Sequence, residues 1–485
     1  MIKRLVLALA CLAGAVGLAR AEIAWGVNGH PFTAYPGIDF ERQLDYVRDL
    51  GMTSYRVNIS DAGQAEALAS LVEAGKARRV AILPVITPGN VDLDKDDPDA
   101  LYRKAYDLAH SLASRFKDDI RVWELGNEME NHAIIQPCET RDDGSQYPCE
   151  WGPAGGTEAS HYYGPRWVKV SAVLKGLSDG VEAADPEIRK AMGTAGWGHV
   201  GAFERMQADG IDWDISVWHI YGEDPEWAFK TIAGYGRPIW VTEFNNPLGS
   251  QRSARQQEVG LKGIMTRLRR LQSEYDVEAA HIYELLDEPY WAPGPEAQMG
   301  LVEMTAKPDG GWRLGEPKPA YLAVRELIRG GRPLPDPAAE RLCDLDARDD
   351  GASMHALRAR YVHCLVLGRA DEENGLAELA AAFESGHAEA GGAIVELMRS
   401  AEFAERYAPF GLTHRAYVSF LYRLLLDRNV DAYGFDTYGR ELDAGNMTRF
   451  GVALSIVRSS EFESRHPVLF QKTAAAQTAD AVEAE

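Results

Sequence analysis

Short apolar runs alternate with longer amphipathic segments between residue 22 and residue 329. The runs are rich in β-branched and aromatic residues, as expected of strands that are covered on both faces. The longer segments, such as FERQLDYVRDL and DALYRKAYDLAHSLASRF, have the spacing of helices. Eight strands separated by helices predict an α/β fold, a parallel (β/α)8 TIM barrel over residues 22–329. The predicted strands are EIAWGV (22–27), SYRVNI (54–59), VAILPVI (80–86), VWELGNE (122–128), KAMGTA (190–195), ISVWHIY (215–221), PIWVTE (238–243) and AHIYEL (280–285).

The pattern changes after the Pro- and Gly-rich stretch RGGRPLPDPAAE, so we predict a linker over residues 330–345. All eleven Trp residues precede this stretch, and short segments rich in Ala, Leu and Glu follow it. LVLGRADEENGLAELAAAFESGH, from residue 365, aligns without gaps with LLLDRNVDAYGFDTYGRELDAGN, from residue 424, an offset of 59 residues. The repeat predicts a second, smaller all-α domain of two copies over residues 346–467. The low-complexity tail at 468–485 is expected to be disordered.

Residues 1–21 have the features of a secretory signal peptide. Lys3 and Arg4 precede the apolar run LVLALACLAGAVGLA, and Ala19-Arg20-Ala21 is a small-residue cleavage motif. A membrane anchor is the alternative, but the apolar run is short for a span. We therefore expect a secreted or periplasmic protein.

The acidic composition narrows the range of partners. The formal net charge is −22, whereas binding to phosphate groups needs clustered Lys and Arg. Neither nucleic acid nor an anionic membrane surface is therefore expected as a partner, and no segment after residue 21 is apolar enough to span a bilayer. The charge fits a soluble protein that acts on a neutral or cationic substrate.

Four cysteines follow the predicted signal peptide, and an even number in an oxidising compartment allows two disulfides. Cys138 and Cys149 lie in one Gly-, Pro- and Asp-rich segment, so they are expected to close that loop. A Cys343–Cys364 pair is the second that the count allows. The sequence has no Cys-x-x-Cys and no His-Glu-x-x-His, so no metal or other cofactor is expected.

Two glutamates stand at the ends of predicted strands. Asn127-Glu128 ends the fourth strand, and Glu243 ends the seventh. The C-terminal ends of barrel strands surround one pocket, so the two carboxylates are expected to face each other. Cleavage of a glycosidic bond needs such a pair, because one acid protonates the leaving oxygen while the other carboxylate attacks the anomeric carbon or activates water. Either glutamate alone is more readily explained as a solvated strand end or a helix cap, but their occurrence together favours catalysis.

The two strand ends carry a family resemblance. WELGNE (123–128) resembles the W-E-x-x-N-E motif of clan-A retaining glycoside hydrolases such as families five and thirty-nine, and PIWVTE (238–243) resembles their strand-seven motif. The resemblance extends over residues 23–328 and implies a (β/α)8 barrel. It also implies that Glu128 is the general acid/base and that Glu243 is the nucleophile.

Other residues also match the pattern of this clan. Arg56 in YRVN lies where the clan has a strand-two arginine, and His219 and Tyr221 in WHIY match its strand-six pair. The resemblance implies that Asn127 hydrogen-bonds the sugar 2-hydroxyl, that Tyr221 holds the nucleophile and that Arg56 keeps it ionised. Glu124 is expected deeper in the barrel, paired with Arg56, because an unpaired buried carboxylate is costly.

The match is incomplete on strand eight. The clan commonly has a Trp there in a Y-W-S-like run, whereas this chain has HIYELLDEPYW (281–291). Glu284 is expected to contact a hydroxyl or an amino group of the substrate, and Asp287 and Glu288 are equally well explained as caps of the next turn. Gly126, where many relatives have an aromatic residue, is expected to widen the pocket.

Aromatic side chains near the strand ends suggest a sugar-binding cleft, since their faces stack on the apolar faces of pyranose rings. Trp151, Trp197 and Trp291 are the predicted platforms, and the loop 131–160 is expected to wall one side. Core packing is the alternative, expected for about half of the group. The group is Trp151, Tyr162, Tyr163, Trp167, Trp197, Trp227, Tyr290 and Trp291.

The segment GWGHVG (196–201) has the G-x-G-x-x-G spacing of a dinucleotide-binding loop without its context. Such a fold needs an acidic residue at the end of the next strand, whereas Asp214 begins that strand. No dinucleotide is therefore expected.

The repeat resembles a bacterial domain of unknown function, the one numbered 4214, through LYRLLLDR, Gly434 and SSEF. That resemblance implies secretion and contact with cell-surface or matrix components, but no reaction. The whole sequence predicts a secreted retaining O-glycoside hydrolase that cleaves a polysaccharide or oligosaccharide, such as a bacterial exopolysaccharide. A carbohydrate-binding scaffold without turnover and a transglycosylase are the alternatives. The predicted substrate-binding residues are Arg56, Asn127, His219, Tyr221, Trp151, Trp197, Glu284 and Trp291.

Overall fold

The computed structural model describes residues 22–35, 37–308, 311–329, 336–345, 351–370, 373–408 and 412–471. The predicted signal peptide, parts of the predicted linker and most of the predicted tail lie outside the described residues. Among the residues that are described, no helix is both long enough and apolar enough to cross a membrane.

Eight parallel strands close into a barrel in chain order, and the eighth strand pairs with the first. This confirms the predicted fold class. The strands are β1 (Ala24–Gly29), β2 (Ser54–Ile59), β3 (Ala81–Ile86), β4 (Val122–Leu125), β5 (Arg189–Gly193), β6 (Ile215–Ile220), β7 (Ile239–Phe244) and β8 (Val277–Ile282). The helices between them are α1 (Phe40–Leu50), α2 (Ala65–Arg78), α3 (Pro98–Phe116), α4 (Gly164–Ala184), α5 (Gly201–Ala208), α6 (Glu226–Ile232) and α7 (Ala254–Tyr275). An antiparallel pair, β9 (Val302–Ala306) and β10 (Trp312–Pro317), and helix α8 (Pro319–Arg329) complete this region.

Capping residues set the ends of the barrel helices. The Asp39 side chain accepts a hydrogen bond from the Arg42 backbone N–H at 2.7 Å, which begins α1, and Gly51 ends that helix with a φ of 82°. Asp97 caps α3 in the same way, with Pro98 in the first turn. These signals explain why the predicted helices here coincide with those of the structure.

The fourth strand is shorter than predicted. It ends at Leu125 instead of residue 128, because Gly126 and Glu128 have positive φ angles of 75° and 50°. Extended backbone cannot continue through such residues. Glu128 therefore lies in a turn beyond the strand and not at its last position.

The eighth strand begins and ends earlier than predicted. It spans Val277–Ile282 instead of 280–285, because Asp276 ends α7 in the left-handed conformation and the chain enters the strand at the next residue. Glu284 consequently lies in the loop that follows β8. The apolar run used for the prediction continues past the strand into this buried loop.

The helices after residue 350 recur at the offset of the sequence repeat. They are α9 (Met354–Leu367), α10 (Glu373–Glu384), α11 (Ala390–Met398), α12 (Ala401–Tyr407), α13 (His414–Leu426), α14 (Ala432–Asp443), α15 (Arg449–Val457) and α16 (Ser460–Arg465). Helices α14 and α15 begin and end 59 residues after α10 and α11. Arg369 binds Glu402 through two hydrogen bonds, and Arg428 binds Glu461 in the same way one repeat later.

The helical region packs directly on the barrel. Phe435 of α14 stacks on Tyr46 of α1 at a centroid distance of 5.6 Å and meets Tyr321 of α8 edge-on at 5.9 Å. Arg42 and Asp436 form an ion pair beside these rings. The second copy of the repeat thus contributes side chains to a shared core with the barrel.

Both disulfides that the cysteine count allows are present. Cys138–Cys149 closes the predicted loop, and Cys343–Cys364 joins residues 336–345 to α9. Residues 336–345 belong to the predicted linker, and this bond ties them covalently to α9.

Candidate active site

Glu128 and Glu243 face each other across the C-terminal end of the barrel. Glu243 lies near the end of β7, and Glu128 follows the end of β4. One carboxylate oxygen of Glu128 and one of Glu243 lie within 4.8 Å of each other. The positive φ angles at Gly126 and Glu128 are the local cause, because they end the strand and redirect the chain.

Glu243 is an enclosed carboxylate with strong hydrogen-bond donors around it. Arg56 donates from Nη1 at 2.7 Å, and the Tyr221 hydroxyl donates at 2.7 Å, as the resemblance implied. Burial alone would raise the pKa of Glu243. The charges of His219 and Arg56, together with these hydrogen bonds, outweigh burial and hold the pKa below its ordinary value. Glu243 therefore stays ionised.

Arg56 uses all five of its N–H groups inside the protein. Nε and Nη2 donate to the two oxygens of Glu124 at 2.7 and 2.6 Å, which is the predicted pair. The remaining N–H groups bind Glu243, Asn28 and Asn127, each at 2.7 Å. Arg56 was predicted to bind substrate, but it is buried and has no N–H group left for one. It positions Glu243 instead.

His219 lies between the two facing carboxylates. Its Nδ1 is 2.7 Å from an oxygen of Glu128 and 3.4 Å from an oxygen of Glu243, and its Nε2 is 3.1 Å from the Thr242 hydroxyl. Burial would lower the pKa of His219, but the charge of Glu243 and the hydrogen bond with Glu128 raise it. His219 was predicted to contact substrate. Its side chain is only 1% exposed, so it acts on the carboxylates.

Asn127 is half-buried, and Arg56 occupies its Oδ1. Its amide N–H groups are the part that remains for a sugar hydroxyl. Two further residues were not predicted: Asn28 donates to the Thr242 carbonyl at 2.8 Å, and the Thr242 hydroxyl donates to Glu124 at 3.2 Å. Asn28 lies near the C-terminal end of β1, and like Asn127 it is an amide at the end of an apolar run, so the same criterion identifies it. Thr242 has no such signal, because Thr is common in strands.

The three predicted aromatic platforms are exposed. Trp151, Trp197 and Trp291 are 58%, 69% and 57% exposed, whereas Tyr162 and Trp167 are buried in the core. Trp291 ends the short 3-10 helix after β8, and Trp197 follows a glycine that touches the end of β6. The exposed rings are available to a ligand, and the buried ones are explained by packing.

The glycines of GWGHVG (196–201) serve close backbone packing. A Cβ on Gly196 would lie 2.0 Å from the His219 carbonyl oxygen, and one on Gly198 would lie 2.1 Å from the Gly155 carbonyl oxygen. Side chains cannot fit at such distances. The spacing is therefore explained by the contact of this segment with β6 and with the loop 131–160.

Gly126 does not widen the pocket as predicted. A Cβ at this position would lie 2.8 Å from the Met129 side chain and 3.0 Å from Leu174 of α4. A side chain at residue 126 would therefore point toward the helix layer and away from the facing carboxylates.

Glu284 belongs to a second group of ionisable side chains. It is fully buried, accepts a hydrogen bond from the Tyr35 hydroxyl, and lies 3.6 Å from His30 Nε2. One ring nitrogen of His30 and one carboxylate oxygen each of Glu284 and Glu288 lie within 4.8 Å of one another. Burial, and then the charge of Glu288, raise the pKa of Glu284 well above its ordinary value.

Asp287 was alternatively explained as a cap of the next turn, but its side chain bonds to later segments of the chain instead. It accepts hydrogen bonds from the Gly300 backbone N–H at 2.9 Å and from Lys318 Nζ at 2.6 Å. Burial raises the pKa of Asp287 to about 6, although Lys318 acts in the opposite direction. The pair fastens the loop after β8 to the segment before α8.

Two groups of side chains in the described part of the chain bring three potential metal ligands within 4.8 Å of one another. They are Glu128, His219 and Glu243, and His30, Glu284 and Glu288. The side chains of the first group are hydrogen-bonded to other groups of the protein. The second group makes fewer such hydrogen bonds.

One family model matches part of the chain. Residues 394–466 match the domain of unknown function DUF4214. The match lies within the helical region and spans helices α12 to α16, which include the whole second copy. No curated protein matches the chain.

Several solved structures resemble the barrel at low identity. The family 1 β-glucosidase from Thermotoga maritima is 12% identical, with 63% of this chain and 97% of that chain covered and a TM-score of 0.46. The AHE enzyme from Alicyclobacillus herbarius is 10% identical, with 64% and 96% covered and a TM-score of 0.44. Aphid myrosinase is 11% identical, with 63% and 98% covered and a TM-score of 0.45.

Proposed function

We propose that the protein is a secreted retaining O-glycoside hydrolase, with Glu128 as general acid/base and Glu243 as nucleophile. The observation that carries this proposal is the approach of the two carboxylates to within 4.8 Å. Retaining glycosidases hold their carboxyl groups about 5–5.5 Å apart, whereas inverting enzymes need about 6.5–9.5 Å to admit a water molecule. The separation therefore favours a covalent intermediate.

The surroundings of each carboxylate support these roles. Glu243 is enclosed by donors that keep it ionised, which suits a nucleophile. The Glu128 side chain is 31% exposed, so it can meet both a leaving group and an incoming water molecule. An acid/base needs that access.

The proposed reaction has two displacements. First, an oxygen of Glu243 bonds to the anomeric carbon, the glycosidic bond breaks, and Glu128 gives its proton to the leaving oxygen. The products are a glycosyl ester of Glu243 and a free alcohol. Then Glu128 takes a proton from water, the water oxygen bonds to the anomeric carbon, and the ester bond breaks. Two inversions give net retention.

The proposed substrate is a polysaccharide, such as a bacterial exopolysaccharide. Exposed Trp151, Trp197 and Trp291 support binding of extended sugars, since each offers an aromatic face. The signal-peptide motif supports export, and the two disulfides are compatible with an oxidising compartment. The helical region is proposed to contact cell-surface or matrix components, because of its match to DUF4214.

The test is hydrolysis by the wild type and three variants on a glycan panel. Glu243→Gln should abolish the release of reducing ends while leaving the circular dichroism spectrum unchanged. Glu128→Gln should lose activity on ordinary glycosides and regain it with azide and an activated aryl glycoside. Glu278→Gln, at the opposite end of β8, is the matched control and should keep wild-type activity.

Proton NMR should show that the sugar product, when first formed, has the same anomeric configuration as the substrate. Wild-type activity in Glu243→Gln would refute the assignment, and the opposite anomer would refute retention. Products longer than the substrate would identify a transglycosylase. Binding without release of reducing ends would identify a carbohydrate-binding scaffold.

A further inference from the structure

Two buried carboxylates beside the proposed catalytic pocket lack a cationic partner among the described residues. Glu284 and Glu288 are 0% and 3% exposed. Glu288 accepts a hydrogen bond from the Tyr290 hydroxyl at 2.6 Å, which is a neutral donor. Lys318, whose charge reaches Glu284, is already bonded to Asp287 at 2.6 Å. Buried carboxylates without a counter-charge are unfavourable.

Two acceptor atoms of this group have no hydrogen-bond partner within the described chain. They are Oε1 of Glu284 and Nε2 of His30. The Glu284 side chain is 0% exposed, so Oε1 is out of contact with bulk solvent. Burial lowers the pKa of His30 to about 4, so the neutral ring can accept a hydrogen bond at Nε2. Unpartnered buried acceptors of this kind indicate a missing donor.

The group lies next to the proposed nucleophile. The His30 ring is 5.8 Å from the Tyr283 ring, which is 6.4 Å from the ring of Tyr221, and Tyr221 binds Glu243. On its other side, Glu288 precedes the turn that carries exposed Trp291. The His30 side chain is 16% exposed, which makes this ring the most accessible member of the trio.

On the basis of the proposed function, we propose that His30, Glu284 and Glu288 bind the protonated amine of an amino sugar, so that the substrate is a glycan with de-N-acetylated residues. An ammonium group has a positive charge, three N–H donors and no acceptor. The trio offers three acceptors within 4.8 Å of one another, and two of them belong to carboxyl groups whose ionised forms an adjacent ammonium group would stabilise. Charge-assisted hydrogen bonds would satisfy both unpartnered atoms.

Other sugar substituents fit this trio less well. A hydroxyl group donates one hydrogen bond and supplies no charge, and an N-acetyl group is neutral and bulky. A uronate carboxylate would meet Glu284 and Glu288 as a like charge. Among the protein's own groups, Arg56 cannot supply the missing charge, since its donors bind elsewhere.

The test compares glycans in matched pairs. Chitosan oligosaccharides and β-1,6-linked glucosamine oligomers are used with free amines and after complete N-acetylation with acetic anhydride. The kcat/KM of the wild type for the amine form should exceed that for the acetylated form by at least about tenfold, the ratio that a lost charge-assisted hydrogen bond supports. Glu288→Gln should lower the ratio of kcat/KM for the amine form to kcat/KM for the acetylated form by at least about tenfold, whereas Glu278→Gln should leave this ratio unchanged.

Binding to the Glu243→Gln variant separates this proposal from the proposed function. Calorimetry should detect binding of the amine-form oligomers to Glu243→Gln. This binding should be lost in the double variants that also carry Glu288→Gln or His30→Gln, even if no glycan is cleaved. Equal affinity for both forms would overturn the amine site and leave hydrolysis intact. Activity that disappears with EDTA and returns with Zn²⁺ or Mn²⁺ in the wild type, but not in Glu288→Gln, would assign the trio to a metal and also overturn it.

Discussion

The Nδ1 atom of His219 lies 2.7 Å from a carboxylate oxygen of Glu128. The opposite nitrogen, Nε2, lies 3.1 Å from the Thr242 hydroxyl, and that hydroxyl donates to Glu124 at 3.2 Å. Because a hydroxyl has one hydrogen to donate, Nε2 must be the donor to Thr242. When Glu128 is ionised it can only accept, so Nδ1 then carries hydrogen as well, which agrees with the raised pKa of His219. His219 therefore couples the charge of Glu128 to that of the network around Glu243.

Replacing His219 with Asn should impair proton transfer by Glu128 more than attack by Glu243. We expect kcat/KM to fall about 10²-fold for substrates with poor leaving groups, which is within the range of general acid catalysis. For dinitrophenyl glycosides the loss should be much smaller, because these leaving groups depart without a proton. The measurement is kcat/KM across aryl glycosides of graded leaving-group pKa.

The control for this change is His281→Asn. His281 is also a buried barrel histidine, but it bonds to Ser54 at 2.8 Å and not to a proposed catalytic residue. Its replacement should lower kcat/KM equally for all leaving groups, if at all. A uniform loss in His219→Asn would contradict the proposed link to Glu128.

Arg56→Met should strongly destabilise the barrel. Arg56 is the shared partner of two buried carboxylates, Glu124 at 2.6 Å and Glu243 at 2.7 Å. Removing it leaves Glu124 without a cation and Glu243 with His219 alone, and breaking a buried pair costs about 3–5 kcal/mol. Urea unfolding at neutral pH measures the loss. Arg189→Met removes a half-exposed pair with Glu278 and should cost about 0–1 kcal/mol; equal losses would contradict this account.

Glu243 and Glu284 should affect stability with opposite dependence on pH. The pKa of Glu243 is lowered from 4.5, so its ionisation stabilises the fold above pH 4.5, and this contribution is lost as pH falls through the folded pKa. The pKa of Glu284 is raised from 4.5 by burial and by Glu288, so its contribution weakens the fold as pH rises above 4.5.

Urea unfolding of Glu243→Gln and Glu284→Gln between pH 3 and pH 8 tests this sign difference. Relative to the wild type, Glu284→Gln should become more stable as pH rises above 4.5. Glu243→Gln should become less stable as pH rises toward 4.5 from the acid side. The same slope in both variants would refute the assignment. We expect Glu284 to lower the stability of the fold above pH 4.5, because it is kept for binding and not for stability.

Much of the barrel site was predictable because its signals are local. Each of Asn127, Glu128 and Glu243 closes an apolar run, and a closed parallel barrel brings such ends together. The pairing of Arg56 with Glu124 followed from the cost of an unpaired buried carboxylate.

The features that were missed depend on closure of the barrel and on backbone conformation. His30 meets Glu284 only because β8 pairs with β1, and the two residues are far apart in the chain. The positions of Glu128 and Glu284 beyond their strands depend on φ angles and strand register, which apolar pattern does not specify. The direction in which a side chain at Gly126 would point has the same cause.

Phe435→Ala should destabilise the barrel although Phe435 lies in the helical region. Its ring is fully buried between Tyr46 and Tyr321, and removing a buried Phe costs about 3–5 kcal/mol. All eleven Trp residues precede the helical region, so Trp fluorescence reports on the barrel alone. The urea concentration at the midpoint of the fluorescence transition should therefore be lower than in the wild type. Leu376→Ala, one repeat earlier and only partly buried, should leave that midpoint unchanged while shifting far-ultraviolet circular dichroism. An unchanged fluorescence midpoint in Phe435→Ala would show that the barrel does not depend on this contact.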